Sequence, residues 1–178
     1  IQGGGHGDLG TKAYVDAYNE IRSQEKKLGI FFDYIFHTSG TGTTQAGLVC
    51  GQVLNNDIRQ VVGISNARKN PYGGQVILDS VNSYMASISE KHVPTNAINF
   101  IDDYVLDGYG SYNDETVRVL KEVLINDGIP LDTTYTAKGF WGMKKYVIKN
   151  QIGGKNILFI HTGGTPLFFD DLGELANE

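Results

Sequence analysis

Residues 39–44 read Ser-Gly-Thr-Gly-Thr-Thr, between an apolar run at residues 31–37 and a small apolar stretch at residues 45–54. Four hydroxyls and two glycines in so short a span suit a phosphate. Glycine lets an anion approach the main chain, unpaired N–H groups at a helix start point at it, and hydroxyls add donors. The plain alternative is a flexible Thr-rich turn. Two nucleotide patterns fail here. No lysine lies in the loop, so Walker A is absent, and the third glycine position of the dinucleotide fingerprint counted from Gly40 holds Gln45. The expected ligand is a small monophosphate group.

Other reactive side chains are sparser. His37 and His161 end apolar runs, where a histidine is more often a hydrogen-bonded core residue than a ligand. No His or Cys pair has metal-ligand spacing, so no metal is expected. Asp102 and Asp103 are adjacent in an extended segment, which sends them to opposite faces and points to turn or cap roles. Cys50, the single cysteine, reads as a small buried residue and fits a reducing compartment. Tyr109 and Tyr135 are two of 10 tyrosines, and nothing local distinguishes them.

The elements that must carry these residues alternate. Helical composition covers residues 11–27, with Ala13, Ala17 and Ile21 four apart and Gly29 as the stop. Strands are expected at 31–37, 60–65, 97–102 and 156–161. Helices are expected at 45–54, at 74–91 with Val76, Ile77, Val81, Met85 and Ile88 inward, and at 140–150. A further helix is capped by Asn113, has Val117, Leu120, Val123 and Leu124 as its apolar face, and ends at Gly128. The fold class is α/β: a mainly parallel open twisted sheet flanked by helices, one domain over residues 1–178. Ligands of such sheets sit beyond the strand carboxyl ends, where the unusual loops fall.

Twenty acids against 15 bases give a net charge of -5, which disfavours nucleic acid and anionic membrane as partners. No apolar run is long enough to span a bilayer, and no basic-then-apolar leader pattern opens the chain, so a cytoplasmic protein is expected. The chain begins at Ile1 inside a Gly-rich loop, and the expectation is that it forms the downstream part of a longer protein.

Five stretches in order carry a family resemblance: GGGHGDLGTKAYVDAYNEI (3–21), TSGTGTTQAGL (38–48), IDDYVLDGYG (101–110), YTAKGFWGM (135–143) and ILFIHTGG (157–164). Together they resemble the D-cysteine desulfhydrase and 1-aminocyclopropane-1-carboxylate deaminase family, fold type II pyridoxal-phosphate enzymes of tryptophan-synthase-β-like fold. The resemblance implies pyridoxal 5'-phosphate as cofactor, a small amino acid as substrate and a homodimer. It places the phosphate loop on Ser39, Gly40, Thr41, Gly42, Thr43 and Thr44. The active-site tyrosines become Tyr109 and Tyr135, one of them an acid or base whose pKa the cofactor's surroundings lower. The partner of the pyridine nitrogen separates the branches: the deaminases carry Glu after the second tyrosine, the desulfhydrases Thr there and a second Thr in HTGG. Here those positions hold Thr136 and Thr162, as in the desulfhydrases, which release pyruvate, sulfide and ammonia from D-cysteine. 1-Aminocyclopropane-1-carboxylate deaminase is the alternative, and an inactive fragment that binds only phosphate or a partner chain is a third reading.

Thr43 stands where the family usually has Gly, which would crowd the phosphate or demand an unusual backbone angle. Ala137 replaces a usual Gly, and His6 a common Ser. The family's Schiff-base lysine lies in an N-terminal Asn-Lys segment that nothing here matches, and Lys138 corresponds to a non-catalytic family lysine. The 178 residues alone are therefore expected to be inactive.

Overall fold

The computed structural model describes residues 2–175. Branched and aromatic residues build four parallel strands: β1 (Tyr34–Ser39), β2 (Gln60–Ser65), β3 (Asn99–Ile101) and β4 (Ile157–Ile160), in the order β3-β2-β1-β4. In the register Phe36 lies beside Val62 and Phe159, and Ser39 beside Ser65. All four carboxyl ends therefore meet along one edge.

Helices cover both faces. α1 (Asp8–Leu28), α2 (Thr43–Leu54) and α3 (Tyr72–Ser87) enclose one core with Ile35, Val61, Leu48, Ile77 and Met85. α4 (Asp114–Asp127) and α5 (Thr136–Lys149) enclose the other, with Phe36, Val62, Ile64, Leu120 and Trp141. α6 (Thr165–Leu175), which the sequence reading did not foresee, sets Phe168 into that second core. The expected class and the alternation of elements are those observed.

Boundaries moved for identifiable reasons. The buried face of α1 is Thr11, Val15 and Tyr18, not the Ala13 and Ala17 line. α2 decides this: a Cβ on Gly47 would sit 2.3 Å from that of Tyr14, and one on Gly51 2.6 Å from that of Tyr18. Two glycines one turn apart let α1 approach closely, and only the Tyr14/Tyr18 side fits. β1 starts late because Phe31 lies under the Arg59 guanidinium and the Phe32 N–H donates to Glu25. α3 stops at Ser87 and leaves Ile88 exposed. β3 is short because residues 95–97 form a 3-10 turn. α5 starts at Thr136 because the buried carboxylate of Asp132 accepts from the main-chain N–H groups of Tyr135 and Thr136 (2.7 and 2.9 Å) and so caps it.

Candidate cofactor site

The loop between β1 and α2 has the form the sequence suggested. Gly42 adopts φ 98, the left-handed region that favours glycine, and a Cβ there would strike Ile77 at 2.8 Å. Helix α2 then starts at Thr43, two residues earlier than expected, so the last two loop residues form its first turn. No side chain caps it, and its first N–H groups point toward the loop without helical acceptors. Thr43 needs no positive φ, so the expected strain at this departure from the family's Gly does not arise.

Several buried polar atoms here find no hydrogen-bond partner among the described residues: Ser39 Oγ, Thr43 Oγ1 and both ends of the Asn66 side chain. Asn66 follows β2, its N–H donates to the Ser39 carbonyl at 3.2 Å, and its Oδ1 lies 3.2 Å from where a Cβ on Gly40 would sit. Each unsatisfied buried group costs about 1–3 kcal/mol. Unpaired donors at a helix start beside such hydroxyls fit a phosphate group. Gly40, Thr41 and Thr44 form the half-buried rim.

The tyrosines are brought together. Tyr109 and Tyr135 share a short hydroxyl–hydroxyl hydrogen bond, with ring centroids 5.7 Å apart. Thr38, next to the loop, donates its hydroxyl to the Tyr135 carbonyl at 3.0 Å and ties the pair to β1. Hydrogen bonding to Tyr109, then burial, pushes the Tyr135 hydroxyl up to about 12. The expected lowering belongs to the cofactor's surroundings, whereas this rise comes from the protein's own groups.

The two threonines separate. Thr136 is fully buried, and its hydroxyl donates to Asp132 Oδ1 (2.7 Å) while accepting from the Asp132 N–H (2.9 Å). Its only proton is thereby committed. Thr162 lies half-buried just past β4, and a Cβ on Gly164, two residues on, would meet Asp132 Oδ1 at 2.2 Å.

Sequence reasoning missed Asn66 and Asp132, and took Lys138 only as a non-catalytic family lysine. The Asp-x-x-Tyr-Thr spacing that caps α5 was a readable signal, and Asn66 stands at a strand's carboxyl end. The remaining candidates are structural. His37 is fully buried, bonded through Nδ1 to the Thr38 carbonyl, and burial lowers its pKa to about 4. His161 meets the Pro130 carbonyl. Asp102 accepts from Asn70, whereas Asp103 pairs with Lys149. Buried Cys50 has its thiol raised to about 12 by desolvation. Among the described residues no cluster of His, Cys, Asp or Glu could hold a metal, and no helix is long and apolar enough to cross a membrane.

Residues 3–163 match the family described as pyridoxal-phosphate dependent enzyme. This chain belongs to that family. Among relatives of the pyridoxal-phosphate dependent enzyme family, a Pyrococcus abyssi protein is 32% identical over 95% of this chain and 50% of its own length. The 1-aminocyclopropane-1-carboxylate deaminase of Rhizobium rhizogenes is 32% identical over 90% of this chain and 48% of its own. A crystal structure of an ACC deaminase homologue superposes with TM-score 0.88 at 30% identity, covering 99% of this chain and 52% of that one. Threonine deaminase isoform 2 of Solanum lycopersicum, at 17% identity and TM-score 0.60, shares the fold. The chain thus spans about half the length of these relatives. The family's cofactor is the expected pyridoxal phosphate.

Proposed function

We propose that this chain forms the cofactor-binding part of a longer pyridoxal-phosphate-dependent lyase or deaminase acting on a small amino acid, most like D-cysteine desulfhydrase. The observation that carries the reading is the set of unpartnered buried polar atoms at Ser39, Thr43 and Asn66, beside an uncapped helix start. When bound, pyridoxal phosphate supplies an electron-withdrawing ring that takes up charge from a deprotonated substrate carbon. Ser39, Gly40, Thr41, Gly42, Thr43 and Thr44 would hold its phosphate.

With its hydroxyl raised to about 12, Tyr135 keeps its proton through neutral pH. The Tyr109–Tyr135 pair is then a proton donor, able to give a proton to a departing group. No carboxylate follows Tyr135 directly. Thr136 is buried against Asp132, so of the two threonines we assign Thr162 to the ring nitrogen. A hydroxyl there cannot transfer a full proton as a carboxylic acid can, which leaves the ring a weaker electron sink. That suits elimination of a good leaving group such as thiolate better than opening of a cyclopropane. The second reading, 1-aminocyclopropane-1-carboxylate deamination, is favoured by the names of the relatives.

A protein joining this chain to the half its relatives carry decides between them. Assayed side by side, it should release pyruvate, sulfide and ammonia from D-cysteine faster than ammonia from 1-aminocyclopropane-1-carboxylate. The reverse order favours the second reading; turnover of neither substrate, with the cofactor held, rejects both.

A further inference from the structure

Lys138 is fully buried on α5, one turn past Tyr135, and among the described residues it has no carboxylate partner. A buried ammonium is expensive unless its protons are used. Here three protons meet four acceptors on two loops: the carbonyls of Gly108 (2.9 Å), Val105 (3.2 Å) and Asn66 (3.4 Å), and Ser111 Oγ (3.4 Å). Val105, Gly108 and Ser111 bracket Tyr109. Tyr104 and Leu106 anchor the start of that loop in the second core and Val105 is buried, but the stretch around Tyr109 lies outside it. Leu106, Gly108 and Gly110 all lie at positive φ, Tyr109 itself is 65% exposed, and the internal ties run from Ser111 and Gly108 back to the same carbonyls. The Asn66 carbonyl belongs to the residue whose side chain lies against Gly40.

We propose that Lys138 is a positioning residue: its ammonium pins the Tyr109 loop to α5 and to the wall of the phosphate loop, and so creates the Tyr109–Tyr135 hydrogen bond. This rests on the proposed function only for its consequence in turnover; the pin itself is tested without cofactor.

The test is NMR at neutral pH of tyrosines labelled with carbon-13, in this chain and its variants, reading the Tyr135 ring shifts and the through-space contacts between the Tyr109 and Tyr135 rings. Lys138→Met should move the Tyr135 ring shifts and remove the ring–ring contacts. Tyr109→Phe should move the Tyr135 shifts similarly, and the double variant should add nothing to the larger single change. A general loss of stability would not produce that non-additivity. Should Lys138→Met fail to fold, Lys138→Gln, which keeps two donors one bond short, undergoes the same measurement and should give intermediate shifts. Unchanged Tyr135 shifts and ring contacts in the folded variant, or fully additive shifts, overturn the proposal. Failure of phosphate to bind while these shifts appear counts against the proposed function alone.

Discussion

The two ends of the sheet both bury polar groups, and they do so in opposite ways. At the amino end Arg59 forms a bidentate pair with Glu25 (2.9 and 2.8 Å) and donates to Asp57, which also accepts from the Tyr18 hydroxyl. The rings of Tyr18 and Phe31 lie against the guanidinium. At the carboxyl end the buried hydroxyls of Ser39 and Thr43 and the Asn66 side-chain amide have no partner among the described residues. Saturation marks a network whose work ends with folding. Unsaturated groups destabilise the free protein, and beside an uncapped helix start they are the groups the proposed phosphate would complete.

The largest effect that could break this contrast is at the saturated end. Arg59→Met leaves Glu25 and Asp57 buried without their cation and should lower stability by about 3–5 kcal/mol in urea unfolding. The increment that phosphate adds should stay the same. A changed increment would mean that the two ends are not independent.

Next in size is His37, directly beneath the loop. Its folded value of about 4 lies below the ordinary 6.5, so the imidazole is neutral in the folded protein. Between pH 6.5 and 4 the unfolded chain binds the extra proton, and stability falls as pH falls through that window. The loss should approach about 3 kcal/mol. His37→Gln should flatten this part of the pH profile of unfolding; an unflattened profile assigns the dependence elsewhere.

Smaller, but of diagnostic sign, is Thr43→Val. Removing an unpartnered buried hydroxyl should leave the free protein as stable as before, or more so by up to about 1 kcal/mol. The same change should weaken stabilisation by phosphate by about 1–2 kcal/mol, the worth of a charge-assisted hydrogen bond. Ordinary structural threonines show both losses in the same direction. Thermal unfolding with and without phosphate separates the two cases.

The loop half of this contrast was legible in the sequence, and the Arg59 network was not. The loop proposed to hold phosphate stands out through Gly and hydroxyl density, β2 occupies residues 60–65 as read, and Asn113 caps α4 by accepting the Thr116 N–H. What stayed hidden depends on partners distant in sequence. The inward face of α1 was set by Gly47 and Gly51 on another helix. Thr136 looked available until Asp132 took its proton. Lys138 carries no periodicity that distinguishes a pinned ammonium from a solvated one, because its acceptors are carbonyls on loops 30 and 33 residues away.

The central claim is that the main chain of residues 39–45 grips a phosphate group. Amide NMR of the nitrogen-15-labelled chain titrated with inorganic phosphate, against chloride at equal ionic strength, tests it most directly. Saturable shifts should be largest at the amides of Gly40, Gly42, Thr43, Thr44 and Gln45 and should weaken in Thr43→Val. Shifts equal in chloride, or concentrated away from this loop, would contradict the account.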